Sequence, residues 1–566
     1  MPSRSFMRSI FEGRIEDGLV HPYASLDPAE AENLEMLLDS VGKFAERRID
    51  PRRIDEEETL PREVLAGMAE LGLFGVTIPE EHGGFGLSMS AYGRVMSELA
   101  SRCGSVAATI GAHLGIGCKG IVLFGTPDQK SRYLPDCASG KTIAAFCLTE
   151  PSSGSDAANI TSRAQRDEAT GEWILNGTKQ WITNGGIAGL FTVFVQTETA
   201  KKERAMTAFV VKRGAPGLTT GKPEKKMGLR GSSTTDVILE NVRVPEADML
   251  GERGAGFKIA MEILNQGRLS LAAACVGPSK DLIAKAAEFA KGRKAFDHRV
   301  ADFEMIQAKF AEMVLDTYAM ESMVGVTTHL ADRAHRGDDC DFSLESALCK
   351  IQASEAMWRT VNHAVQINGG FGYMREYPFE RALRDARINP IFEGTNEILR
   401  LFVSLAGMQG PGRTLKEVGK ALTEPVAGLG VLTDYAARRV RRALGSEKLE
   451  FAHAELARQA EWVEEYVGAF ASAVESALRR HGKEILEREY IQERLADSAM
   501  DLYAMVCVIS RATTAATPDH LLAARAFCER AWRRIRRNLR QVETNSDPET
   551  TSVARLALDP GRYPFE

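Results

Sequence analysis

A block with strand-type patterning interrupts a chain that otherwise shows helical periodicity. From Thr142 to residue 255, short β-branched and aromatic runs alternate with Gly, Asn and Pro, as in GEWILNGTKQWITNGG, LFTVFVQT and DVILENVRVP. Such runs are typical of strands joined by turns. On either side, residues 27–141 and 256–409 carry apolar residues at helical spacing. The chain is therefore predicted to fold as a helical domain, a β domain and a second helical domain.

A second boundary follows Gln409. The segment GPGRTLKEVGKALTEPVAGLG is rich in Gly and Pro, and residues 410–566 beyond it return to helical patterns. Residues 1–26 form an N-terminal extension. A chain of 566 residues exceeds one hydrophobic core and predicts roughly three or four domains of about 150 residues each. The predicted fold class is α+β, mainly α.

Composition excludes several classes of protein. Hydrophobic residues make up 44% and charged residues 26%, as in a soluble globular protein, and the net charge of -6 offers no general nucleic-acid footprint. Nine cysteines, odd in number and without a CxxC pair, speak against a disulfide framework or a zinc site and favour a reducing, cytoplasmic compartment. The N-terminus lacks the apolar core of a secretory signal, and the longest apolar run, Leu502 to Ile509, is short for a membrane span. Any membrane contact is expected to be peripheral.

One carboxylate lies among apolar residues just before a predicted helix. In NPIFEGTNEILRLF, Glu393 follows Ile391 and Phe392, and Gly394 can turn sharply. Thr395 is the predicted N-cap of a helix whose apolar face carries Ile398, Leu401, Phe402 and Leu405. Apolar surroundings raise a carboxyl pKa and suit a general base. A Glu that only caps its own helix is the alternative on sequence grounds.

Other familiar chemistries lack their motifs. The chain contains no HExxH zinc motif, no GxSxG nucleophile elbow and no GxxxxGK[ST] phosphate loop. The glycine clusters GERGAGFK and NGGFG do not follow a strand in the context that a dinucleotide fingerprint requires. No metal-binding set is expected.

Five motifs occur together in a characteristic order. They are FCLTEPSSGSD from Phe146, QWITNGG from Gln180, GRKAFD from Gly292, QINGGFGY from Gln366 and FEGTNEI from Phe392. In order and approximate spacing they resemble the acyl-CoA dehydrogenases, a flavoprotein family, from about Leu26 to Gln409. KEVGKAL and ERLADSAMDLYAMV in the last region resemble the very-long-chain branch, which has an extra helical C-terminal domain.

The resemblance implies roles for single positions. Glu393 matches the catalytic base, which removes the α-proton of a bound acyl-CoA while the β-hydrogen leaves as hydride to flavin N5. The positions that match FAD-binding residues are Phe146, Leu148, Thr149, Ser155, Trp181, Ile182, Thr183, Arg293, Phe296, Gln307, Gln366, Gly369, Gly370, Thr395 and Asn396. The positions that match residues contacting substrate or supporting the base are Ser155, Asn265, Arg268, Phe392 and Gly394.

Two positions depart from relatives. Some members of the family carry the base at the position just before the one matching Arg268, which is Gly267 here, so the role stays with Glu393. Ala295 stands where a medium-chain relative has a hydroxyl that contacts FAD.

The function implied is FAD-dependent α,β-dehydrogenation of long or very long chain acyl-CoA to trans-2-enoyl-CoA, in fatty acid β-oxidation. The implied partners are an electron-transfer flavoprotein and a second copy of the chain in a homodimer. An acyl-CoA oxidase and a non-catalytic assembly protein of the same fold are the alternatives. Gly115 and Gly117 are expected to leave volume at the far end of the acyl channel, or else to allow close helix packing.

A basic amphipathic stretch lies in the boundary region, at residues 429–444. Drawn as a helix, it places Leu429, Leu432, Ala436, Val440, Ala443 and Leu444 on one stripe and Arg438, Arg439, Arg441 and Arg442 around the other side. That arrangement suits peripheral contact with an anionic membrane, as the resemblance also implies. A core-packed helix with a solvated basic face is the alternative.

Overall fold

The computed structural model describes residues 4–198, 203–423, 431, 433, 435–437 and 447–565. The chain divides into two compact units, one of residues 24–338 and 349–396, the other of residues 1–23, 339–348 and 397–566. We call the first the core unit and the second the terminal unit. Most of the predicted membrane segment, including its four arginines, lies outside the described residues.

Helices dominate the described chain. Their bounds are α1 Phe6–Phe11, α2 Pro28–Arg48, α3 Pro51–Glu57, α4 Arg62–Glu70, α5 Met89–Arg102, α6 Gly104–Ile110, α7 Lys119–Phe124, α8 Pro127–Ala138, α9 Gly256–Gly292, α10 Glu304–His335, α11 Ser343–Asn368, α12 Gly370–Tyr373, α13 Pro378–Ala386, α14 Asn396–Gly407, α15 Gln409–Thr423, α16 Ala457–His481, α17 Glu489–Ala515, α18 Pro518–Glu543 and α19 Asp547–Leu558.

Short polar side chains begin several of the core-unit helices. Asp27 and Ser88 accept backbone hydrogen bonds at the starts of α2 and α5, and Thr126 forms a capping box with Gln129 at the start of α8. Each cap satisfies backbone N–H groups that have no partner within the helix. The local sequence therefore determines where these helices start.

A seven-residue π-helix, Gly111–Gly117, joins α6 to α7. By length and composition the combined stretch Gly104–Phe124 is apolar enough to cross a membrane. It is longer than the apolar run Leu502 to Ile509 that the sequence analysis considered. In the structure 72% of its apolar window is buried. That burial is typical of a core helix in a soluble protein.

The β domain is one mixed sheet. Its strands are β1 Ala144–Cys147, β2 Arg163–Arg166, β3 Trp173–Thr183, β4 Leu190–Glu198, β5 Arg204–Lys212, β6 Leu218–Thr220, β7 Thr234–Val244 and β8 Met249–Leu250. They lie in the order β6-β7-β3-β2-β4-β5-β8, with β1 parallel to β4. A separate short hairpin pairs β9 Lys294–Ala295 with β10 His298–Arg299.

The register of β3 against β7 shifts twice. Irregularities fall between Leu175 and Gly177 and between Lys179 and Ile182. Extra residues of this kind bend a strand and redirect side chains, and they often lie beside functional sites. The second shift contains Gln180 and Trp181.

The terminal unit contains the first helix as well as the last ones. Phe6, Met7, Ile10 and Phe11 of α1 are fully buried. Glu345, also buried, accepts hydrogen bonds from Ser5 Oγ at 2.8 Å and Met7 N at 2.9 Å. The N-terminal residues are thus an internal part of this unit.

The predicted architecture of helical, β, helical and additional helical regions is confirmed. The prediction of which face of α14 is buried is wrong. Leu399, Val403 and Ala406 are its buried apolar residues, whereas Ile398 is 38% exposed and the other members of the predicted face are only half-buried. The buried set and the predicted set both recur at helical spacing on adjacent sides of the helix, so periodicity alone does not define which set is buried.

Candidate active site

Glu393 lies on a strained turn between α13 and α14. Its φ angle is +58°, in the left-handed region, and that of Gly394 is +93°. A non-glycine residue in this region costs free energy and persists where the surrounding structure enforces it. The turn then enters α14 at Asn396, directly after Thr395. The residue that the sequence predicts as a base is therefore held in an uncommon backbone conformation.

The Glu393 carboxyl group points into the protein against α9. Its Oε2 atom is buried and has no hydrogen-bond partner among the described residues. A Cβ added at Gly267 would lie 2.9 Å from this Oε2 and 2.7 Å from the Ile116 side chain. Glycine at 267 thus provides the space that the carboxylate occupies.

Burial and nearby cations act on this group in opposite directions. Burial raises the pKa of the Glu393 carboxyl above its ordinary value, while the positive charges of Arg268 and Lys350 favour the ionised form. A carboxylate with a raised pKa and an unsatisfied oxygen can accept a proton from a bound molecule.

The turn itself is held by hydrogen bonds from α9 and α11. Arg268 Nε donates to the Glu393 carbonyl at 3.2 Å, and its Nη1 donates to Asn265 Oδ1 at 3.0 Å. Lys350 Nζ donates to the Gly394 carbonyl at 2.8 Å. Asn265 and Arg268, two of the five residues matched to substrate contact or support of the base, are therefore brought together beside it. Half-buried Phe392 lies directly before the base.

The π-helix forms a wall between α9 and the β domain. His113 accepts a hydrogen bond from Ala144 N at 2.9 Å, and burial lowers its pKa to about 4, so its ring is neutral. A Cβ at Gly115 would lie at ordinary contact distances, 3.7 Å from Ser270 and 3.8 Å from the Gly267 Cα, and would be tolerated. Gly117 differs, because its Cβ would lie 2.7–2.9 Å from backbone atoms. The expectation that Gly117 leaves channel volume is therefore wrong, since it is a packing glycine.

The residues matched to the flavin ring converge at the ends of β1 and β3. Gln180 N donates to the Thr149 carbonyl at 2.9 Å, which joins the two segments. Trp181 has a φ angle of +57° and is 60% exposed, while Thr149 and Thr183 are half-buried. Leu148 and Ile182 are buried in the sheet core. These two could meet a ligand only through their backbone.

A buried ion pair ties the same two segments together. Lys179 Nζ lies 2.5 Å from Glu150 Oε1 and also donates to the Leu148 carbonyl. Glu150 accepts further bonds from Thr161 and from Ser162 N. Burial alone would raise the pKa of Glu150, but Lys179 and these donors bring it to about 2. Sequence patterning missed this pair, although TEP and TKQW place both residues beside the motifs.

The next residues of the β1 loop lead to Ser155. Glu150 and Ser153 exchange backbone hydrogen bonds of 3.0 Å in both directions, and Ser155 follows on the exposed side of this turn. Half-buried Phe146 lies on β1 with its ring centroid 4.9 Å from that of Phe194. The loop therefore offers a small exposed hydroxyl near the proposed flavin ring.

A second group of predicted residues lies exposed at the far ends of α9 and α11. The ring centroid of Phe289 in α9 lies 5.7 Å from that of Phe371 in α12, with the two rings tilted by 57°. The exposed residues of this group are Arg293, Phe296, Gln307, Gln366, Gly369 and Gly370. Phe296 is 89% exposed. So large an exposed fraction is unusual for an aromatic side chain that does not contact another molecule.

Asn396 has a different environment from this exposed group. Its side chain is buried, accepts a hydrogen bond from Lys350 Nζ at 2.8 Å and donates to Ser354 Oγ at 3.0 Å. Sequence reasoning did not identify Lys350, although a lone lysine within the apolar run ALCKIQA is a recognisable signal.

Family comparisons cover nearly the whole chain. Residues 31–141, 145–242 and 254–407 match the N-terminal, middle and C-terminal domains of acyl-CoA dehydrogenase. Residues 454–558 match the ACAD9/ACADV C-terminal domain.

Individual relatives agree with the family matches. The very long-chain specific mitochondrial acyl-CoA dehydrogenase of Homo sapiens is 42% identical over 96% of this chain and 85% of its own length. An FAD-complexed acyl-CoA dehydrogenase from Bacillus anthracis has a TM-score of 0.82 at 32% identity and covers 97% of this chain and 94% of its own. A chain from a structure described as the electron transferring flavoprotein of Acidaminococcus fermentans has a TM-score of 0.63 at 35% identity, over 68% and 98% of the two chains. The chain therefore belongs to the acyl-CoA dehydrogenase family of FAD-dependent oxidoreductases.

Proposed function

We propose that this protein dehydrogenates long or very long chain acyl-CoA to trans-2-enoyl-CoA in fatty acid β-oxidation, with FAD as cofactor and Glu393 as the base. The observation that carries the proposal is the Glu393 carboxylate, which is buried against Gly267 with an unsatisfied Oε2. A carboxylate that only capped its helix would direct its oxygens to the backbone N–H groups of that helix.

The proposed chemistry requires a base and a stabilised enolate. The α-proton of a thioester is weakly acidic, so fixed donors must meet its carbonyl oxygen as negative charge develops. The Glu393 backbone N–H donates no hydrogen bond within the described part of the chain and can serve there. The carboxylate of the same residue takes the proton, and apolar packing around it excludes water.

The residues at the β1 and β3 ends fit a flavin. Trp181 presents an exposed aromatic surface from a left-handed backbone position, with half-buried Thr149 and Thr183 beside it. When bound, FAD supplies the hydride acceptor that no side chain can be. We assign the ring to these residues with Phe146, Leu148, Ser155 and Ile182. Arg293, Phe296, Gln307, Gln366, Gly369 and Gly370 would hold the rest of the cofactor, and Thr395 would approach it from the start of α14.

The long-chain preference rests on two observations. The relatives that match over nearly the whole length act, by their names, on very long chains. A Cβ at Gly115 would meet Ser270 and Gly267 only at ordinary contact distances of 3.7–3.8 Å, on the wall beside the base. Asn265, Arg268, Phe392, Gly394 and Ser155 would contact the acyl-CoA or support the base.

We also propose an electron acceptor, a homodimer and a cellular location for this protein. The match to a chain from the Acidaminococcus fermentans flavoprotein structure supports an electron-transfer flavoprotein as acceptor. The exposed group around Phe296 supports completion of the site by a second copy in a homodimer. We place the protein in the cytoplasm, with peripheral membrane contact through 429–444, and retain the domain division 1–26, 27–141, 142–255, 256–409 and 410–566.

The test compares Glu393→Gln with wild type and with Glu397→Gln, which changes an exposed carboxylate four residues away. Anaerobic titration with acyl-CoAs of graded length should bleach the flavin of wild type and of Glu397→Gln, and bleaching should be strongest with long chains. Glu393→Gln should keep its flavin and bind the ligand, but dehydrogenate more slowly by several powers of ten. Near-normal turnover in Glu393→Gln would contradict the base assignment.

The same preparation separates the two alternatives. Rapid dioxygen consumption on mixing with acyl-CoA would identify an oxidase. A protein that binds flavin but shows no bleaching with any acyl-CoA would be a non-catalytic member of the fold.

A further inference from the structure

Two buried cations bind the consecutive backbone carbonyls on the C-terminal side of the base. Arg268 donates to the carbonyl of Glu393 and Lys350 to that of Gly394, at 3.2 and 2.8 Å. The Oε2 atom of the Glu393 carboxylate has no hydrogen-bond partner among the described residues. The positive charges are therefore close to the base without occupying the oxygen that would accept a proton.

Lys350 also connects the turn to the start of α14. Its ammonium donates to Asn396 Oδ1 at 2.8 Å, and Asn396 Nδ2 in turn donates to Ser354 Oγ at 3.0 Å and Glu355 Oε1 at 3.1 Å. Asn396 N donates to the Pro390 carbonyl at 3.0 Å. One side chain from α11 thus contacts both the turn, at Gly394, and the first residue of α14, Asn396.

We propose that Lys350 is a positioning residue for Glu393: the Lys350 ammonium holds the strained turn and stabilises the ionised carboxylate while leaving Oε2 of that carboxylate unpaired. The inference rests on the proposed role of Glu393 as the base. A lysine bonded directly to the carboxylate would compete with the substrate proton for the same lone pairs. A lysine bonded to the next carbonyl along the chain contributes its charge without that competition.

The electrostatics are consistent with this geometry. The charged groups near Glu393 are Arg268 on α9 and Lys350 on α11. The π-helix contributes the apolar side chain of Ile116. Burial raises the Glu393 pKa and the two cations counteract it, Arg268 more than Lys350. Removing the Lys350 charge should therefore raise the pKa further, so that a smaller fraction of the base is ionised at a given pH.

The shape of lysine matters as well as its charge. Lys350 is fully buried and its compact ammonium reaches two oxygens at 2.8 Å each. Methionine has a similar length but neither donor nor charge, glutamine keeps one donor group without charge, and arginine keeps the charge on a larger planar group. These three residues separate hydrogen bonding from charge.

The experiment measures anaerobic flavin bleaching at saturating acyl-CoA from acidic to alkaline pH. The variants are Lys350→Met, Lys350→Gln and Lys350→Arg, each assayed per bound FAD. Thr360→Val is the matched control, because it is an isosteric change at a buried α11 position whose hydroxyl has no partner among the described residues. It should behave like wild type.

In the plot of bleaching rate against pH, the acidic limb is the range in which the rate rises as the base ionises. In Lys350→Met and Lys350→Gln this limb should move to higher pH by about one unit, and the rate at pH values below it should fall about tenfold. Part of that loss should be recovered at alkaline pH. Lys350→Arg should restore the limb, and the spectral shift on acyl-CoA binding should change little in any variant.

Two outcomes would overturn the inference. Lys350→Met or Lys350→Gln could bleach at the wild-type rate with an unchanged limb, or all three variants could lose FAD and rate equally at every pH without recovery in the arginine variant. Either result leaves the base assignment intact if Glu393→Gln is inactive. Turnover in Glu393→Gln would instead refute the proposed function itself.

Discussion

Gly267 faces the carboxylate of Glu393 so closely that a methyl group at position 267 would lie 2.9 Å from Oε2. The same methyl group would lie 2.7 Å from Ile116. The lack of a side chain at position 267 of α9 therefore allows the carboxylate of the proposed base to occupy this position.

Gly267→Ala should displace the Glu393 carboxylate while leaving the flavin segments of β1 and β3 untouched. Because proton removal depends on geometry at the ångström level, we expect kcat for acyl-CoA to fall by about 100-fold. FAD content should not change. Stopped-flow bleaching together with the flavin spectrum checks this, and Gly42→Ala in α2, whose Cβ meets only ordinary contacts away from the site, is the control. Equal, small effects of both substitutions would show that the contact is unimportant.

Chain-length selectivity should respond to Gly115 and not to Gly117. Gly115→Gln would add a long side chain next to Ser270 on the proposed channel wall, so activity on palmitoyl-length substrates should fall far more than on octanoyl-length ones. Gly117→Ala would press on the Ala112 and Ala144 backbone and should lower the thermal midpoint instead. Steady-state kinetics on both substrates, with a melting curve for each variant, measure the two effects. Equal losses of Gly115→Gln on both substrates would argue against the channel placement.

The ion pair between Lys179 and Glu150 should support both stability and flavin binding. Lys179→Met leaves a buried carboxylate without its cation, a change that costs about 3–5 kcal/mol of unfolding free energy. The double variant Glu150→Gln with Lys179→Met should be less destabilised than the two single effects added together. Thermal unfolding and retained FAD per protein give the measurement. Additive losses would indicate that the two side chains act independently.

Glu345 should make the terminal unit sensitive to pH. Burial raises the pKa of this carboxyl from 4.5 to about 7. Between these values the unfolded chain is ionised while the folded one stays protonated, so stability falls as pH rises, by up to about 3 kcal/mol at 1.36 kcal/mol per unit. Glu345→Gln should flatten that dependence. Hydrogen exchange of the α1 amides from pH 5 to 8 tests it, and identical pH profiles in both proteins would contradict it.

The membrane hypothesis has a direct test. Wild type should sediment with anionic vesicles at low salt and be released at high salt, since each arginine adds on the order of 1 kcal/mol near an anionic surface. A variant with Arg438, Arg439, Arg441 and Arg442 changed to Ser should stay in solution. If both proteins partition alike, the segment is ordinary protein surface.

The sequence by itself determined the order of the helical and β regions, since period-two and period-3.6 patterns differ over long segments. The ordered motifs were enough for the family, and an acid among apolar residues before a helix indicated Glu393. These features depend on residues that are near one another in the chain.

Tertiary structure alone decided the features that depend on distant residues. Lys350 lies 43 positions before Glu393, so its contact with the turn follows from how α11 packs. The buried face of α14, the close contact at Gly117 and the placement of α1 beside Glu345 depend likewise on neighbours remote in sequence. Local patterns specify what each element is, whereas packing decides which of several apolar faces is buried and which buried charge stabilises which turn.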